Sequence, residues 1–258
     1  MAPSVGIIIP AYRPDIPRLS QYICTIQEQI NPEQVIVEID DPNQETIPQL
    51  SDLPAEISQC TYRRGKGAAI TMGFEKLDTG VLTFADADGS TPVNELKQII
   101  DPVRSESSDI AIGSRRHPKS DVQSNQTIAR RYMGDMYVHL VRSVLDINIY
   151  DFQCGAKAVS KNSWTQLRNK LYEPGFAWDL ELIAVAQENN YLIDEIPIQW
   201  QDKPQSTVDP VRTPIDMIRA LLLIQHRIGI SQNSIFHQAI ANMYADTRSP
   251  IIQDTHKI

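Results

Sequence analysis

The chain has 258 residues, a formal net charge of -8 and a hydrophobic fraction of 41%. This composition is typical of a globular protein with a full core, and the negative charge argues against a nucleic-acid partner, which usually requires a basic face. The three cysteines form no CxxC pair and the five histidines are scattered, which argues against a disulfide framework and a structural zinc site. Any metal is therefore expected to have oxygen ligands, which favours Mg²⁺ or Mn²⁺.

The first predicted element is the apolar run VGIIIPAY at residues 5–12, which is typical of a strand buried on both faces. It follows the N-terminus almost directly, without the charged and apolar regions of a signal peptide. No apolar run approaches the roughly 20 residues that span a bilayer. We therefore expect a cytoplasmic protein.

Helical and strand patterns alternate along the next hundred residues. In chain order they predict a helix over 15–30, a strand over 34–40, a helix over 66–77, a strand over 81–88, a helix over 91–103 and a strand over 109–115. Thr91 is the expected N-cap of the third helix, with Pro92 at its first position. The alternation predicts an α/β fold with a Rossmann-like, mostly parallel sheet between helices.

Polar side chains stand where these strands end. They are Tyr12, Asp40, Asp41, Asp86, Asp88 and Arg115. In parallel sheets ligands bind beyond the carboxyl ends of the strands, so the sequence predicts a site at this edge. Asp86 and Asp88 are crowded like charges, which either a solvated turn or a divalent cation can accommodate.

The second half of the chain has a different pattern. It predicts a long amphipathic helix over 126–147, a strand or turn over 151–160, a helix over 177–189, a strand over 191–200 and a C-terminal amphipathic helix over 212–229. We expect one domain at 1–208 with a helical appendage at 209–258. That appendage either packs on the domain or a second subunit, or lies on a membrane surface.

Several motifs together resemble the family 2 glycosyltransferases. In order they are VGIIIPAY, IDD, RRGKGAA, DADGST, IGSR, DFQCGAKAVS and the pair WDLEL and DEIPIQW, and the resemblance covers about residues 4–208. Within the family they look most like the polyprenyl-phosphate sugar synthases, particularly dolichyl-phosphate glucosyltransferase. The resemblance implies a GT-A fold that binds a nucleoside diphosphate sugar with Mg²⁺ or Mn²⁺.

The resemblance also implies roles for the first motifs. Asp88 is the expected metal ligand, with Asp86 contacting the metal or the ribose. Pro10 and Tyr12 resemble the wall of the nucleoside pocket, although core packing also explains Tyr12. Asp40 or the adjacent Asp41 is expected to contact the base or ribose, in a turn altered because Pro42 follows where the family usually has Gly.

The basic residues are expected near the phosphates. Lys66 and Gly67 lie in the motif that resembles the family's nucleotide loop, although a plain loop-to-helix connection has the same composition. Arg115 can contact phosphate. Arg130 or Arg131 on the long helix can also contact phosphate, and of the two we expect Arg131. The alternative for this pair is a solvated helix face.

Asp151, Gln153 and Gly155 look like the sugar and acceptor side of the pocket, with Gln153 hydrogen-bonded to sugar hydroxyls. Asp179 stands where inverting members of the family place a catalytic base. A hydroxyl acceptor would need that base and a phosphate acceptor would not.

One departure from the lipid-phosphate subgroup concerns the acceptor. Thr207 stands where that subgroup commonly has a lysine, so Lys203 or Arg212 is expected to reach the acceptor phosphate instead.

Together these features predict an inverting, metal-dependent transferase that moves a sugar from a UDP-sugar, or alternatively from GDP-mannose, to a polyprenyl or dolichyl phosphate at the cytosolic face of a membrane. The alternatives are transfer to a glycan or protein hydroxyl, and nucleotide-sugar binding without turnover.

Overall fold

A seven-stranded mixed sheet forms the centre of the fold. The structure is a computed structural model that describes residues 2–123, 128–201, 212–231 and 249–254. Within these ranges it describes the backbone but not the side chains of residues 122–133, 201–214 and 254.

The strands are β1 Val5–Tyr12, β2 Gln34–Asp40, β3 Glu56–Cys60, β4 Val81–Ala85, β5 Ile110–Ser114, β6 Asp121–Gln123, β7 Ala156–Ser160, β8 Ile193–Pro197 and β9 Gln199–Gln201. The helices are α1 Ile16–Gln29, α2 Thr46–Leu50, α3 Lys66–Lys76, α4 Val93–Arg104, α5 Ile128–Leu145, α6 Lys161–Leu167, α7 Trp178–Glu188, α8 Arg212–Ser231 and α9 Ile251–Asp254. A 3₁₀ turn at Arg168–Lys170 follows α6.

The strand order of the large sheet is β3-β2-β1-β4-β7-β5-β8, and β6 pairs with β9 in a small second sheet. Among the strands that the structure describes, β7 alone is antiparallel to its neighbours, β4 and β5. The mostly parallel sheet that the sequence predicts is therefore confirmed. The carboxyl ends of β1, β2, β4 and β5 share one edge, which we call the site edge, and β7 starts at the same edge.

Both faces of the sheet are buried because the central strands are apolar in succession. Ile7, Ile8 and Ile9 in β1 are all fully buried. Since successive side chains point to opposite faces, Ile8 packs in the core that includes Trp178. Ile7 and Ile9 pack in the core that includes Leu19 of α1.

The predicted cap of α4 is wrong by one position. Pro92 is the cap residue, with extended backbone and no side-chain cap hydrogen bond, and the helix begins at Val93. Thr91 instead accepts a hydrogen bond at its carbonyl from the Tyr22 hydroxyl, at 2.8 Å. This tertiary contact holds the turn after β4 against α1.

Helix α8 packs on the domain, with Leu221 and Ile224 in the same core as α7. Ile215, Ile218 and Leu222 on α8 remain exposed. Among the described residues, no helix is both long and apolar enough to cross a membrane.

Candidate functional site

The most connected group at the site edge is the ammonium of Lys66, at the start of α3. Its Nζ lies 2.9 Å from Asp86 Oδ1 and 3.2 Å from Asp179 Oδ2. Burial alone would lower the pKa of Lys66, but the carboxylates of Asp179 and Asp86 outweigh burial and raise it. Lys66 is therefore a charged link between the turn after β4 and helix α7.

The second oxygen of Asp179 is also occupied. Lys157 Nζ on β7 donates to Asp179 Oδ1 at 2.6 Å and to the Cys154 carbonyl at 2.9 Å. Lys157 is fully buried, and the Asp179 side chain is only 3% exposed. Asp179 thus sits between two ammonium groups below the surface.

Asp86 and Asp88 lie in the turn that follows β4. Asp86 N donates to the Gly155 carbonyl at 2.8 Å, and Ser90 N donates to Asp88 Oδ1 at 2.9 Å. Asp88 is exposed, whereas the Asp86 side chain is 35% exposed. Burial and the neighbouring Asp88 raise the pKa of Asp86, and Lys66 offsets part of that effect.

These two carboxylates fit a divalent cation that is shared with a substrate. Within the described ranges no group of three or more His, Cys, Asp or Glu side chains could hold a metal by itself. Mg²⁺ is commonly held by one or two carboxylates together with substrate phosphates. Asp88, with its exposed carboxylate, and Asp86 beside it would supply the protein ligands of such a cation.

The position of the Asp86 side chain requires a glycine at position 155. A Cβ at position 155 would lie 1.9 Å from Asp86 Oδ2 and 2.4 Å from Asp86 Cγ. The missing side chain therefore makes room for the first carboxylate of the DAD motif, which is a different use from the sugar or acceptor contact that we predict for Gly155.

Asp40, at the end of β2, holds the loop that leads into α3. Its Oδ2 accepts from the backbone N–H groups of Arg64 and Gly65, and its Oδ1 accepts from Arg64 Nε at 2.7 Å. Arg64 Nη2 also donates to the buried Glu38 at 2.8 Å. Asp41 is the more accessible of the pair, with a side chain 44% exposed that lies 3.5 Å from Arg13.

The ring of Tyr12 is half-buried at the end of β1, two residues after Pro10. Arg63 lies over this ring at 4.1 Å and Arg13 at 5.1 Å from the centroid. Because guanidinium groups already contact the ring, a base that stacks on Tyr12 has to share it with them or displace Arg63.

Residues 63–67, called here the glycine loop, comprise the end of the connection after β3 and the first two residues of α3, and they pack closely on another backbone segment. Gly65 has φ +103°, and a Cβ there would lie 2.6 Å from the Pro174 carbonyl oxygen. A Cβ on Gly67 would lie 2.4 Å from Trp178 Cβ. Both glycines are therefore needed for this close approach, and Lys66 is aimed by the contacts on either side of it.

Arg115 and Asp151 form a buried fork. Arg115 Nε and Nη2 donate to Asp151 at 2.7 and 2.9 Å, and Arg115 N donates to it at 3.0 Å. Asp151 is 1% exposed, and despite burial Arg115 holds the pKa of Asp151 well below its usual range. In this arrangement Asp151 orients Arg115, so the predicted contact of Asp151 with the acceptor remains a prediction.

Gln153 is exposed, and its Nε2 lies 3.7 Å from Met217 Sδ on α8. The start of α8 therefore lies beside the site edge. Cys154 is buried, and burial raises the pKa of its thiol to about 12. The thiol therefore has a packing role.

Some predicted site residues fall outside what the structure describes. Lys203 and Thr207 lie outside the described residues, and the side chains of Arg130, Arg131 and Arg212 lie outside the described side chains.

Two residues of the site were not predicted from the sequence. Lys157 is a charged residue inside the apolar strand AKAVS, a pattern that signals a buried ion pair. Arg64 was hidden among the neighbouring basic residues of RRGKG.

Comparison with known proteins identifies the family. The model of Glycosyl transferase family 2 matches residues 6–166. The chain is 32% identical over 190 residues to glycosyltransferase AglD of Haloferax volcanii, covering 71% of this chain and 30% of that protein. It is 30% identical over 168 residues to the dolichyl-phosphate beta-glucosyltransferase of Drosophila melanogaster, covering 62% of this chain and 51% of that protein. The match thus spans 30% and 51% of the length of these two relatives.

Solved structures show the same fold at low identity. Glucosyl-3-phosphoglycerate synthase from Mycobacterium tuberculosis, crystallised with Mn²⁺, UDP-glucose and phosphoglyceric acid, has a TM-score of 0.66 at 13% identity, covering 86% of this chain and 80% of that chain. Mannosyl-3-phosphoglycerate synthase from Rubrobacter xylanophilus has a TM-score of 0.67 at 14% identity, covering 90% and 76%. The α/β architecture is therefore of the GT-A type, and this chain belongs to glycosyl transferase family 2.

Proposed function

We propose that this protein is an inverting, metal-dependent glycosyltransferase that moves a sugar, glucose in the first place, from a UDP-sugar to a polyprenyl phosphate. The observation that carries the choice of acceptor is the state of Asp179. Both of its carboxylate oxygens contact an ammonium group, Lys157 on one side and Lys66 on the other.

A general base must lie within hydrogen-bond reach of the hydroxyl that it deprotonates. The Asp179 side chain is only 3% exposed, and each of its oxygens contacts an ammonium group. Asp179 is therefore suited to hold Lys66 in position, and a glycan or protein hydroxyl would have little access to it. A phosphate acceptor is already ionised at neutral pH and needs no base, which favours it over a glycan or protein hydroxyl.

The donor assignment rests on the composition of the site edge and on the relatives. The relatives include dolichyl-phosphate beta-glucosyltransferases, and a structure with the same fold contains UDP-glucose with Mn²⁺. Asp88 and Asp86 would hold the cation, which when bound neutralises charge on the diphosphate. Asp40 or Asp41 and Tyr12 would face the nucleoside.

The transfer is a single displacement. An acceptor phosphate oxygen forms a bond to the anomeric carbon while the bond from that carbon to the β-phosphate oxygen of UDP breaks, and the electron pair leaves with UDP. Because attack comes from the face opposite the leaving group, the configuration inverts. Lys66 and Arg115 would stabilise the charge that develops on the phosphate oxygens.

A lipid acceptor is compatible with the position of α8. Met217 at its start is within 3.7 Å of Gln153. Ile215, Ile218 and Leu222 on the same helix are exposed by 62%, 45% and 60%. Their spacing of three and four residues puts them on one face, which can rest on a bilayer beside the site.

The test is release of UDP or GDP from a panel of nucleotide sugars with Mn²⁺, with and without a short polyprenyl phosphate, and with a glycoside hydroxyl acceptor in parallel. We expect polyprenyl phosphate to stimulate release most strongly from UDP-glucose. Asp88→Ala should abolish release. Asp78→Ala, which changes an exposed aspartate just before β4, at the opposite edge, should leave it unchanged.

The alternatives give different results. Stimulation by the hydroxyl acceptor alone would replace the lipid-phosphate assignment with a glycan or protein acceptor. Binding of UDP-sugar without turnover under any acceptor would indicate a binding protein, and stimulation with GDP-mannose would change the donor.

A further inference from the structure

Besides its apolar contacts with the core, helix α8 places Arg227 between two carboxylates of the domain. Arg227 Nη1 lies 2.7 Å from Glu181 Oε1 on α7 and 3.3 Å from Glu173 Oε1. The side chains of Glu181 and Glu173 are 1% and 11% exposed, and the guanidinium also lies 4.6 Å from the ring centroid of Tyr172. A positive charge is thus placed where two acidic groups converge below the surface.

Glu181 connects Arg227 to the backbone of the segment before α7, because its second oxygen binds that backbone. Its second oxygen accepts from the N–H groups of Tyr172 and Glu173, at 2.7 and 2.8 Å. Residues 171–177, called here the 171–177 loop, connect the 3₁₀ turn to α7. The carboxylate of Glu181 therefore needs to remain in place for the start of this loop to keep its course.

The 171–177 loop in turn supports the glycine loop. Ala68 N donates to the Pro174 carbonyl at 3.0 Å. The Pro174 and Glu173 carbonyls are the atoms that a Cβ on Gly65 or Gly67 would meet at 2.6 Å. The two backbones are in contact without intervening side chains, so a shift of one displaces the other.

From this chain of contacts we propose that Arg227 is a positioning residue for the nucleotide site. Arg227 holds Lys66 in place through Glu181, the 171–177 loop and the glycine loop. The inference rests on the proposed function for its nucleotide. It places α8, which lies beyond the residues 6–166 matched by the family model, within the structural unit that forms the donor site.

The position of Lys66 depends on the course of the glycine loop. Its ammonium lies within 3.2 Å of both Asp86 and Asp179, and it is attached to the backbone between the two glycines. Hydrogen-bond geometry tolerates only a few tenths of an ångström. A displaced glycine loop would therefore move the ammonium away from the diphosphate.

The experiment compares Arg227→Met and Arg227→Lys with Ile224→Ala, which removes a buried side chain one turn earlier on α8 and serves as the control for loss of packing. Two readouts are measured on the full chain. The first is hydrogen–deuterium exchange without ligand in peptides that cover residues 64–70 and 171–176. The second is UDP affinity by calorimetry with Mn²⁺.

We expect Arg227→Met to speed exchange in both peptides and to weaken UDP binding by about tenfold. Arg227→Lys keeps the charge and provides a second variant in case Arg227→Met does not fold. Its exchange rates and UDP affinity should lie between those of wild type and Arg227→Met. Ile224→Ala should destabilise the protein while affecting these two readouts less.

Equal effects of Arg227→Met and Ile224→Ala would reduce Arg227 to a stabilising residue and overturn the proposal. Faster exchange with unchanged UDP affinity would overturn it too. If the wild-type protein binds no UDP, the proposed function fails, and unaltered exchange at residues 64–70 in the arginine variants then overturns the positioning role separately.

Discussion

Gly155 shows how one missing side chain determines the geometry of the DAD motif. A methyl group at this position would lie 1.9 Å from Asp86 Oδ2, so Gly155→Ala must push the carboxylate aside. We expect a loss of about 1–3 kcal/mol in the free energy of unfolding and at least about tenfold weaker binding of UDP with Mn²⁺. Thermal unfolding and calorimetry measure these two quantities.

Gly80→Ala is the matched control for that substitution. Gly80 lies just before β4, at the edge of the sheet opposite the site, and a Cβ there would lie 2.7 Å from Pro3 Cβ. Its substitution should also cost stability but should leave UDP affinity unchanged. Equal UDP affinities for Gly155→Ala and the wild type would contradict the role assigned to Gly155.

Lys157 provides a second prediction for a single residue. Its ammonium is fully buried and contacts Asp179 at 2.6 Å. Lys157→Met keeps the volume but leaves Asp179 with Lys66 as its remaining cationic contact, and breaking a buried pair from one side costs about 3 kcal/mol. Urea unfolding should show that loss, whereas Lys97→Met on the exposed face of α4 should change stability by less than about 0.5 kcal/mol. A loss below about 1 kcal/mol at Lys157 would mean that the pair is dispensable.

Residue types at the site were predictable to the extent that a motif marks them. Asp86 and Asp88 follow a buried strand, and Lys66 lies between two glycines, so both positions stand out in the sequence. Their partners did not stand out. That Gly155 serves Asp86, and that Asp179 lies between Lys66 and Lys157, depends on contacts between residues 22 to 113 positions apart, which no local pattern encodes.

At the scale of elements, the interface of α7 and α8 contains a group that titrates near neutrality. Burial raises the pKa of Glu181 from 4.5 to about 7, although the N–H groups of Glu173 and Tyr172 and the charge of Arg227 lower it in part. Glu173 is the other acidic group that faces it. Because the folded protein binds this proton more tightly than the unfolded chain, stability falls as the pH rises from about 4.5 to about 7.

The expected contribution is a decrease of about 3 kcal/mol in the free energy of unfolding between pH 5 and pH 8. Urea titrations at these two pH values measure it. Glu181→Gln should lose this part of the pH dependence, and Glu28→Gln on the exposed face of α1 should keep it. An identical pH dependence in wild type and Glu181→Gln would show that Glu181 remains ionised throughout.

Most elements were predictable because period and composition are local. Strands β1 and β2 have the predicted bounds. The direction of β7 was not predictable, because its sequence AKAVS fits a parallel or an antiparallel neighbour equally well. The predicted cap of α4 was wrong, since Pro92 is the cap residue. The Thr91 carbonyl accepts from the hydroxyl of Tyr22, which lies 69 positions away, a contact that no local pattern encodes.

At the scale of the whole molecule, the site draws on both halves of the chain. Asp40, Lys66 and Asp86 come from the first half, and Asp151 and Asp179 come from the second. The mostly parallel sheet followed from the alternation of strands and helices, and the position of the site followed because parallel strands deliver their ends to one edge. The packing of α8 could not be derived in that way, since an amphipathic helix has the same pattern whether it covers a core or a membrane surface.

Helix α8 has one apolar face in the core and a second apolar face that is exposed. Leu221 and Ile224 are buried in the core, whereas Ile215, Ile218 and Leu222 are exposed. If the acceptor is a lipid phosphate, the exposed face should contact the bilayer, and its burial there would contribute a few kcal/mol, on the order of 1 kcal/mol per side chain. Replacing all three with serine should weaken cosedimentation with vesicles that contain anionic lipid by at least about tenfold.

Leu192→Ser is the control for that measurement, because Leu192 is 57% exposed but immediately precedes β8, at the edge of the sheet opposite the site. It should not alter vesicle binding. The serine variant should also keep its UDP affinity in solution, since none of the three side chains contributes to the core. Unchanged vesicle binding in the serine variant would show that α8 does not carry the membrane contact, and the acceptor would then have to reach the site edge by another face of the protein.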